Sequence, residues 1–256
     1  MTKTIDFKKY TSIGIGPKIN VKIINKIDNY SKYTIIGKGN NLLISHTPPP
    51  LAILGDDFDY IIQKGNQLIV GASTSSRKLL NYCKKNDISS FEFLAKIPGN
   101  LGGLVKMNAG LKQWEIFNNI NSVNIDGTLV KKEDIVYTYR HTQIDGIIYE
   151  VIFDITKGYS KDQQLFFNIL RENQPKLPSA GSCFKNPKQH SAGYLIEKVG
   201  LKGYTIGGMA FSSIHANFLV NLGGGTYDEA IKLIKLAQQK VKQEFNIDLD
   251  TEIIIL

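Results

Sequence analysis

At 256 residues, 42% hydrophobic and 10% aromatic, the chain is long enough for about two domains with packed cores, which excludes a disordered or fibrous protein. No run approaches the roughly 20 apolar residues of a membrane span, and Met1–Asp6 lacks the apolar core of a signal peptide, so no membrane insertion and a cytoplasmic location are expected. The charge of +8 rests on scattered lysines with only three arginines (Arg77, Arg140, Arg171); no nucleic acid is expected as partner, while a small phosphorylated ligand stays open.

In chain order, the alternation around Ile13 and Ile15 predicts a short strand, and Gly14 and Gly16 let backbone approach a neighbour. The β-prone Tyr33–Ile36 runs into Gly37-Lys38-Gly39-Asn40-Asn41-Leu42-Leu43. A glycine-rich turn after a strand presents N–H groups to phosphate, but Leu42 stands where a dinucleotide fingerprint has its third glycine, so an ordinary turn is an equal reading. Pro48–Pro50 marks a loop. Strands are predicted at Tyr60–Ile62 and Leu68–Val70, then a helix capped by Ser75 or Ser76 with Leu79, Leu80 and Cys83 on one face. Cys83 reads as core; with Cys183 the only other cysteine, two reduced thiols and no metal centre are expected.

The stretch Phe91–Gly110 sets Pro98, Gly99, Gly102, Gly103 and Gly110 among apolar residues. That is not linker composition. It reads as backbone against a large flat ligand, or equally as a tight strand–helix crossing. Asp126-Gly127 signals a hairpin. Arg140, in Tyr137-Thr138-Tyr139-Arg140-His141, is either a surface cation or a guanidinium held by its tyrosines. Residues 147–156 alternate as a strand. A helix with Leu165, Phe166, Ile169 and Leu170 as its face ends before Pro175, and residues 158–177 are the expected hinge.

Pro178 and Pro187 fence an extended or turning segment in which Gly181 can bend backbone to display Ser182; composition alone favours a plain turn over a catalytic loop. A short helix over 193–203 stops at glycine, and Leu219–Asn221 reads as a strand. His215 beside Asn217 suits a hydrogen-bonded structural role. Thr226–Glu229 is a capping box opening a helix with Ala230, Ile234, Ala237, Val241 and Phe245 on one face. The strand-like end, 247–256, places Glu252 where burial begins, and a carboxylate there needs a partner.

Several of these runs, in this order, resemble those of the UDP-N-acetylenolpyruvoylglucosamine reductases (UDP-N-acetylmuramate dehydrogenases), flavin enzymes of peptidoglycan synthesis. They are Gly37–Leu43, Ile97–Gly103, Met107–Gly110, Tyr139-Arg140, Ser179–Pro187, His215–Phe218 and Glu252, and the likeness covers nearly the whole chain. The chain departs from the family pattern at Ile15, Lys38, Asn40 and Thr142, and no segment matches the family's tyrosine-bearing loop, so the shorter subtype is implied.

The resemblance implies an α+β chain: a two-lobed FAD-binding, PCMH-type (vanillyl-alcohol-oxidase-like) fold over 1–157, with lobes of roughly 1–56 and 57–157, a smaller α+β substrate-binding domain over 172–245, and a C-terminal strand, 246–256, at the active site. It implies FAD and NADPH as cofactors and a UDP-sugar as substrate; a monomer is expected. Flavin-side positions carried over are Gly37, Gly39, Asn40, Asn41, Leu42, Pro98, Gly99, Gly102, Gly103, Asn108, Ala109 and Gly110. Ser182 would give a proton to carbon, Arg140 and Glu252 would hold the substrate carboxylate in its enolate-like form, and Lys185, Asn186 and Lys202 would address the substrate. Two other readings remain: a flavin oxidoreductase of the same two-lobed fold acting on another hydroxy acid or alcohol, and a nucleotide-sugar- or RNA-binding protein using its glycine loops for phosphate alone.

Overall fold

A computed structural model describes all 256 residues. Six helices punctuate the chain: α1 (Phe7–Tyr10), α2 (Ser76–Lys85), α3 (Leu101–Lys106), α4 (Lys161–Ile169), α5 (Ala192–Lys198) and α6 (Tyr227–Phe245). Packing sorts the chain into two interleaved units. One gathers Met1–Lys3, Val21–Gly37 and Pro50–Glu172; the other gathers Thr4–Asn20, Lys38–Pro49 and Asn173–Leu256.

The first unit holds a five-stranded antiparallel sheet in the order 128–131, 120–125, 148–154, 67–71, 61–64. Asp126-Gly127 makes the expected hairpin, with Ile125 opposite Thr128. Alternate residues of these strands, among them Leu68, Val70, Val123, Val151 and Phe153, are fully enclosed, so one face of the sheet carries the core. A second sheet of this unit sets Lys22–Ile24 and Thr34–Ile35 parallel to and on either side of Leu51–Leu54.

Ser75 caps α2 by accepting from the Lys78 N–H, and Leu79, Leu80 and Cys83 pack inward as the spacing predicted. Helix α3 lies hard against strand 67–71: a Cβ on Gly102 would sit 3.2 Å from the Ala72 Cβ. Helix α4 differs from its predicted face. Leu165, Phe166 and Ile169 are exposed, and Phe167 is the residue it buries, edge-on to Trp114 at 5.0 Å and near Phe93 at 6.5 Å. Aromatic partners outside the helix chose the face, which local periodicity cannot see.

The second unit is built on a four-stranded antiparallel sheet in the order 179–182, 218–221, 209–211, 205–206. Helix α6 starts at a complete capping box between Thr226 and Glu229 and buries Ala230, Leu233, Ile234, Ala237 and Val241. Each large side chain buried there is worth roughly 1.5–3 kcal/mol.

Ile13 and Ile15 belong to this core, but not as a strand. They lie in a turn after α1, where the Thr11 hydroxyl lies 2.9 Å from both the Phe7 and the Ile15 carbonyl, accepts the Ile15 N–H, and closes the backbone on itself. Of the strand-like C-terminus, Ile254–Ile255 alone joins a ladder, parallel to Leu42–Leu43. No helix is long and apolar enough to cross a membrane.

Candidate active site

Within the second unit, Ser182 closes the edge strand 179–182 on an irregularity. Ser179 pairs with Val220 and Ser182 with Phe218, so one extra residue is inserted on the Ser182 side. Gly181 takes φ +82 there, backbone that L residues rarely adopt. Such a bulge re-aims the side chain that follows it. Ser182 is half-buried, whereas Cys183 and Phe184 behind it are fully enclosed.

The segment after the bulge is held from two sides. Asn217, buried, accepts the Phe184 N–H at 2.9 Å through Oδ1, donates to the Phe184 carbonyl at 2.8 Å through Nδ2, and takes the Cys183 N–H on its own carbonyl. On the other side the C-terminal segment runs antiparallel: the Glu252 N–H donates to the Cys183 carbonyl at 2.8 Å, and the Lys185 N–H to the Asp250 carbonyl at 2.9 Å. These bonds set Cys183, the residue after Ser182, against Glu252 although 69 positions separate the two in the sequence (252 − 183). Burial, with the Glu252 charge as a lesser cause, pushes the Cys183 thiol far above its ordinary pKa.

The glycine loop reaches the same locus. Asn41 donates through Nδ2 to the Glu252 carbonyl at 2.9 Å, and its own carbonyl takes the Ile254 N–H. Gly39 has φ +71, and a Cβ on it would lie 3.1 Å from Thr11 and Tyr10. The Ser12 N–H donates to the Gly39 carbonyl at 3.1 Å. Burial pushes the Tyr10 hydroxyl up to about 12. Leu42 is buried in the short ladder, and Asn40 is half-buried on the loop.

Of the expected substrate residues, Lys185 is half-buried two positions from Cys183. Asn186 accepts the Ala192 N–H at the start of α5. Lys202 is exposed and pairs with Glu197 at 3.0 Å. His215 accepts the Asn217 N–H through Nδ1, the structural role its neighbourhood suggested. Burial holds its imidazole below the ordinary pKa, and the Lys202 charge adds to that.

Arg140 belongs to the first unit. Thr138 pairs with His141, so Tyr139 and Arg140 form a two-residue turn, and Arg140 sits at φ +55. Its guanidinium donates to the Gly110 carbonyl at 2.6 Å and the Asn108 carbonyl at 3.4 Å, and lies 4.9 Å from the Tyr139 ring centre. Of the two sequence readings, the half-buried guanidinium holds.

The flavin-side stretch of this unit has mixed character. Asn108, Ala109 and Gly110 are buried, and a Cβ on Gly110 would meet the Trp114 carbonyl. Gly99 is half-buried at φ +143, and Pro98 is exposed. Gly103 differs: a Cβ there meets nothing within 4 Å, and one on Gly37 meets only the Asn100 Cβ, at 4.0 Å. The Asn100 Oδ1 is buried without a hydrogen-bond partner. Two open glycine faces beside an orphaned acceptor fit a flat ligand carrying an N–H, as the isoalloxazine of FAD does.

Sequence reasoning missed three supports of this machinery: Ser12 under Gly39, Asn41 on Glu252, and the Thr142 hydroxyl on the Lys106 carbonyl at 2.6 Å. Each bond joins residues far apart in the chain, so no local pattern announces it.

Two curated relatives align with the chain from end to end. The UDP-N-acetylenolpyruvoylglucosamine reductase of Helicobacter hepaticus is 44% identical over 260 residues, covering 100% of this chain and 99% of the relative. That of Helicobacter pylori (strain ATCC 700392 / 26695) is 42% identical over 254 residues, covering 99% and 98%.

The chain belongs to the UDP-N-acetylenolpyruvoylglucosamine reductase family.

The family's C-terminal domain model matches residues 173–256, which are also the last segment of the second unit. The crystal structure of the Thermus caldophilus reductase superposes with a TM-score of 0.87 at 29% identity, covering 100% of this chain and 98% of that one. The chain therefore has the α+β flavoenzyme fold of the UDP-N-acetylenolpyruvoylglucosamine reductases, as its sequence motifs implied.

Proposed function

We propose that this chain, an oxidoreductase, reduces the enolpyruvyl ether of UDP-N-acetylglucosamine-enolpyruvate to the lactyl ether of UDP-N-acetylmuramate. The observation that supports the reading is the pairing of residues 183–185 with 250–252, which sets Cys183, the residue after Ser182, against Glu252 in a chain related to such reductases along its full length. FAD, when bound, supplies to the vinyl carbon a hydride taken from NADPH. The residues proposed to hold it are Gly37, Gly39, Asn40, Asn41 and Leu42 on one loop and Pro98, Gly99, Gly102, Gly103, Asn108, Ala109 and Gly110 on the other, Asn108 through its backbone alone.

The protein's own contribution is electrostatic and protonic. As hydride arrives at one carbon, negative charge develops on its neighbour and the attached carboxylate. Arg140 offers a fixed guanidinium, pre-aimed by the Gly110 and Asn108 carbonyls, and a preorganised cation stabilises charge that appears only in the transition state. Glu252, as an acid, would hydrogen-bond the enolate-like oxygen. Ser182 would deliver the proton to carbon; a hydroxyl is a weak acid, suited only to a strongly basic carbanion-like centre. Lys185, Asn186 and Lys202 would address the UDP-sugar.

The test is direct. The purified protein should be yellow, with a flavin absorbance spectrum, and should oxidise NADPH only when the UDP-enolpyruvyl sugar is added. A colourless protein, or a yellow one that ignores this substrate and turns over a hydroxy acid, would overturn the reading.

A further inference from the structure

Asn108 sits among the flavin-side motifs, yet its side chain is fully enclosed and occupied elsewhere. Through Nδ2 it donates to the Glu115 carboxylate at 2.8 Å and to the Thr138 carbonyl at 3.1 Å, and through Oδ1 it accepts the Phe117 N–H at 3.4 Å. A primary amide has two donor hydrogens and one carbonyl oxygen, so both donors and the oxygen are engaged within the protein. The residue follows the end of α3 at φ +44, a left-handed position that asparagine tolerates better than other side chains.

Thr138 is the residue from which the Tyr139-Arg140 turn departs. The amide of Asn108 therefore holds the base of that turn, while the carbonyl of the same residue meets the guanidinium at the turn's far end, at 3.4 Å. The Gly110 carbonyl shares the guanidinium, and the Thr142 hydroxyl ties the returning strand to Lys106. Residues 106–110 thus form a rigid rack for the hairpin.

We propose that Asn108 is a positioning residue for Arg140: its side chain aims the guanidinium and makes no contact with the cofactor. The inference rests on the catalytic role proposed above for Arg140. Asn108→Gly removes the amide while allowing the backbone at φ +44 and keeping the carbonyl. Asn108→Asp keeps the shape but loses both donors and faces Glu115 with a second acidic group.

Three measurements on the flavin-loaded protein test it. Flavin content per chain, read from absorbance, should stay at the wild-type level in Asn108→Gly. Its kcat should fall on the order of 10²-fold, the usual cost of misplacing a catalytic group by about 1 Å, with KM for the enolpyruvyl substrate moving far less. In an Arg140→Lys background, the same substitution should cost little more, because two residues acting as one device are not additive. Loss of flavin with kcat per bound flavin unchanged would overturn the proposal in favour of a cofactor contact. So would full additivity with Arg140→Lys. If Arg140→Lys itself leaves kcat unchanged, the catalytic reading of Arg140 has failed; if Arg140→Lys slows turnover and Asn108→Gly does not, this inference alone has failed. Should Asn108→Gly not fold, Asn108→Asp takes its place with the same expectations. Failure of both to fold would also overturn the proposal, by showing that the amide holds the whole unit rather than the hairpin.

Discussion

Gly181 is the position at which backbone geometry and proton delivery are most directly coupled. A Cβ added there meets nothing within 4 Å, so Gly181→Ala introduces no clash, and the whole perturbation is the φ of +82 imposed on an L residue. That conformation costs about 1–2 kcal/mol. For a chain of this size each kcal/mol shifts the melting temperature by about 2–4 °C, so the variant should melt roughly 2–8 °C lower. If the backbone instead relaxes by straightening the bulge, Ser182 moves, and a displacement of about 1 Å at a proton donor costs on the order of 10²-fold in rate. Stopped-flow reoxidation of reduced flavin by the enolpyruvyl substrate reads the second effect, and calorimetry the first. Gly65 supplies the control: it lies in the turn between strands 61–64 and 67–71 at φ +56, also with nothing within 4 Å of an added Cβ. Gly65→Ala should lower the melting temperature by a similar amount and leave reoxidation untouched. Wild-type reoxidation in a Gly181→Ala protein whose melting temperature is also unchanged would refute the argument that the strained bulge aims Ser182.

Ser182→Ala should leave reduction of the flavin by NADPH near normal and slow its reoxidation by substrate about 10²-fold or more, the range for loss of a positioned general acid; normal reoxidation would assign the proton to another group. Gly103→Val places a branched side chain where an added Cβ meets no protein atom, so the chain should fold and purify without flavin, whereas Gly102→Val, blocked by Ala72, should fail as a folding variant; a folded, fully yellow Gly103→Val would remove residue 103 from the flavin site. Burial raises the Cys83 thiol to about 12 and the Cys183 thiol further still, so at pH 8 almost no thiolate exists at either. A disulfide reagent should titrate neither in the native protein and both in denaturant; rapid native labelling of Cys183 would contradict its enclosure behind Ser182.

Much of this protein is fixed by local sequence. Thr226 and Glu229 start α6, and Ser75 starts α2, because a cap needs only residues a turn away. Asp126-Gly127 sets its hairpin, and the spacing of Leu79, Leu80 and Cys83 sets the inner face of α2, for the same reason. The glycine runs and the Ser182 segment mark the machinery by residue type alone. Other features were decided only by tertiary structure. Ile13 and Ile15 alternate like a strand but lie in a turn, because the Thr11 hydroxyl captures their backbone. Helix α4 buries Phe167 rather than Leu165, Phe166 and Ile169, because Trp114 and Phe93 wait on that side. Residues 4–20 and 38–49 fold with 173–256, since Ile13, Ile15 and Leu43 complete a core whose other members lie far along the chain. The joining of Cys183, next to Ser182, to Glu252 and the enclosure of the Asn108 amide are of this second kind. Each depends on hydrogen bonds between residues distant in sequence, which a linear pattern does not encode until the chain has closed around them.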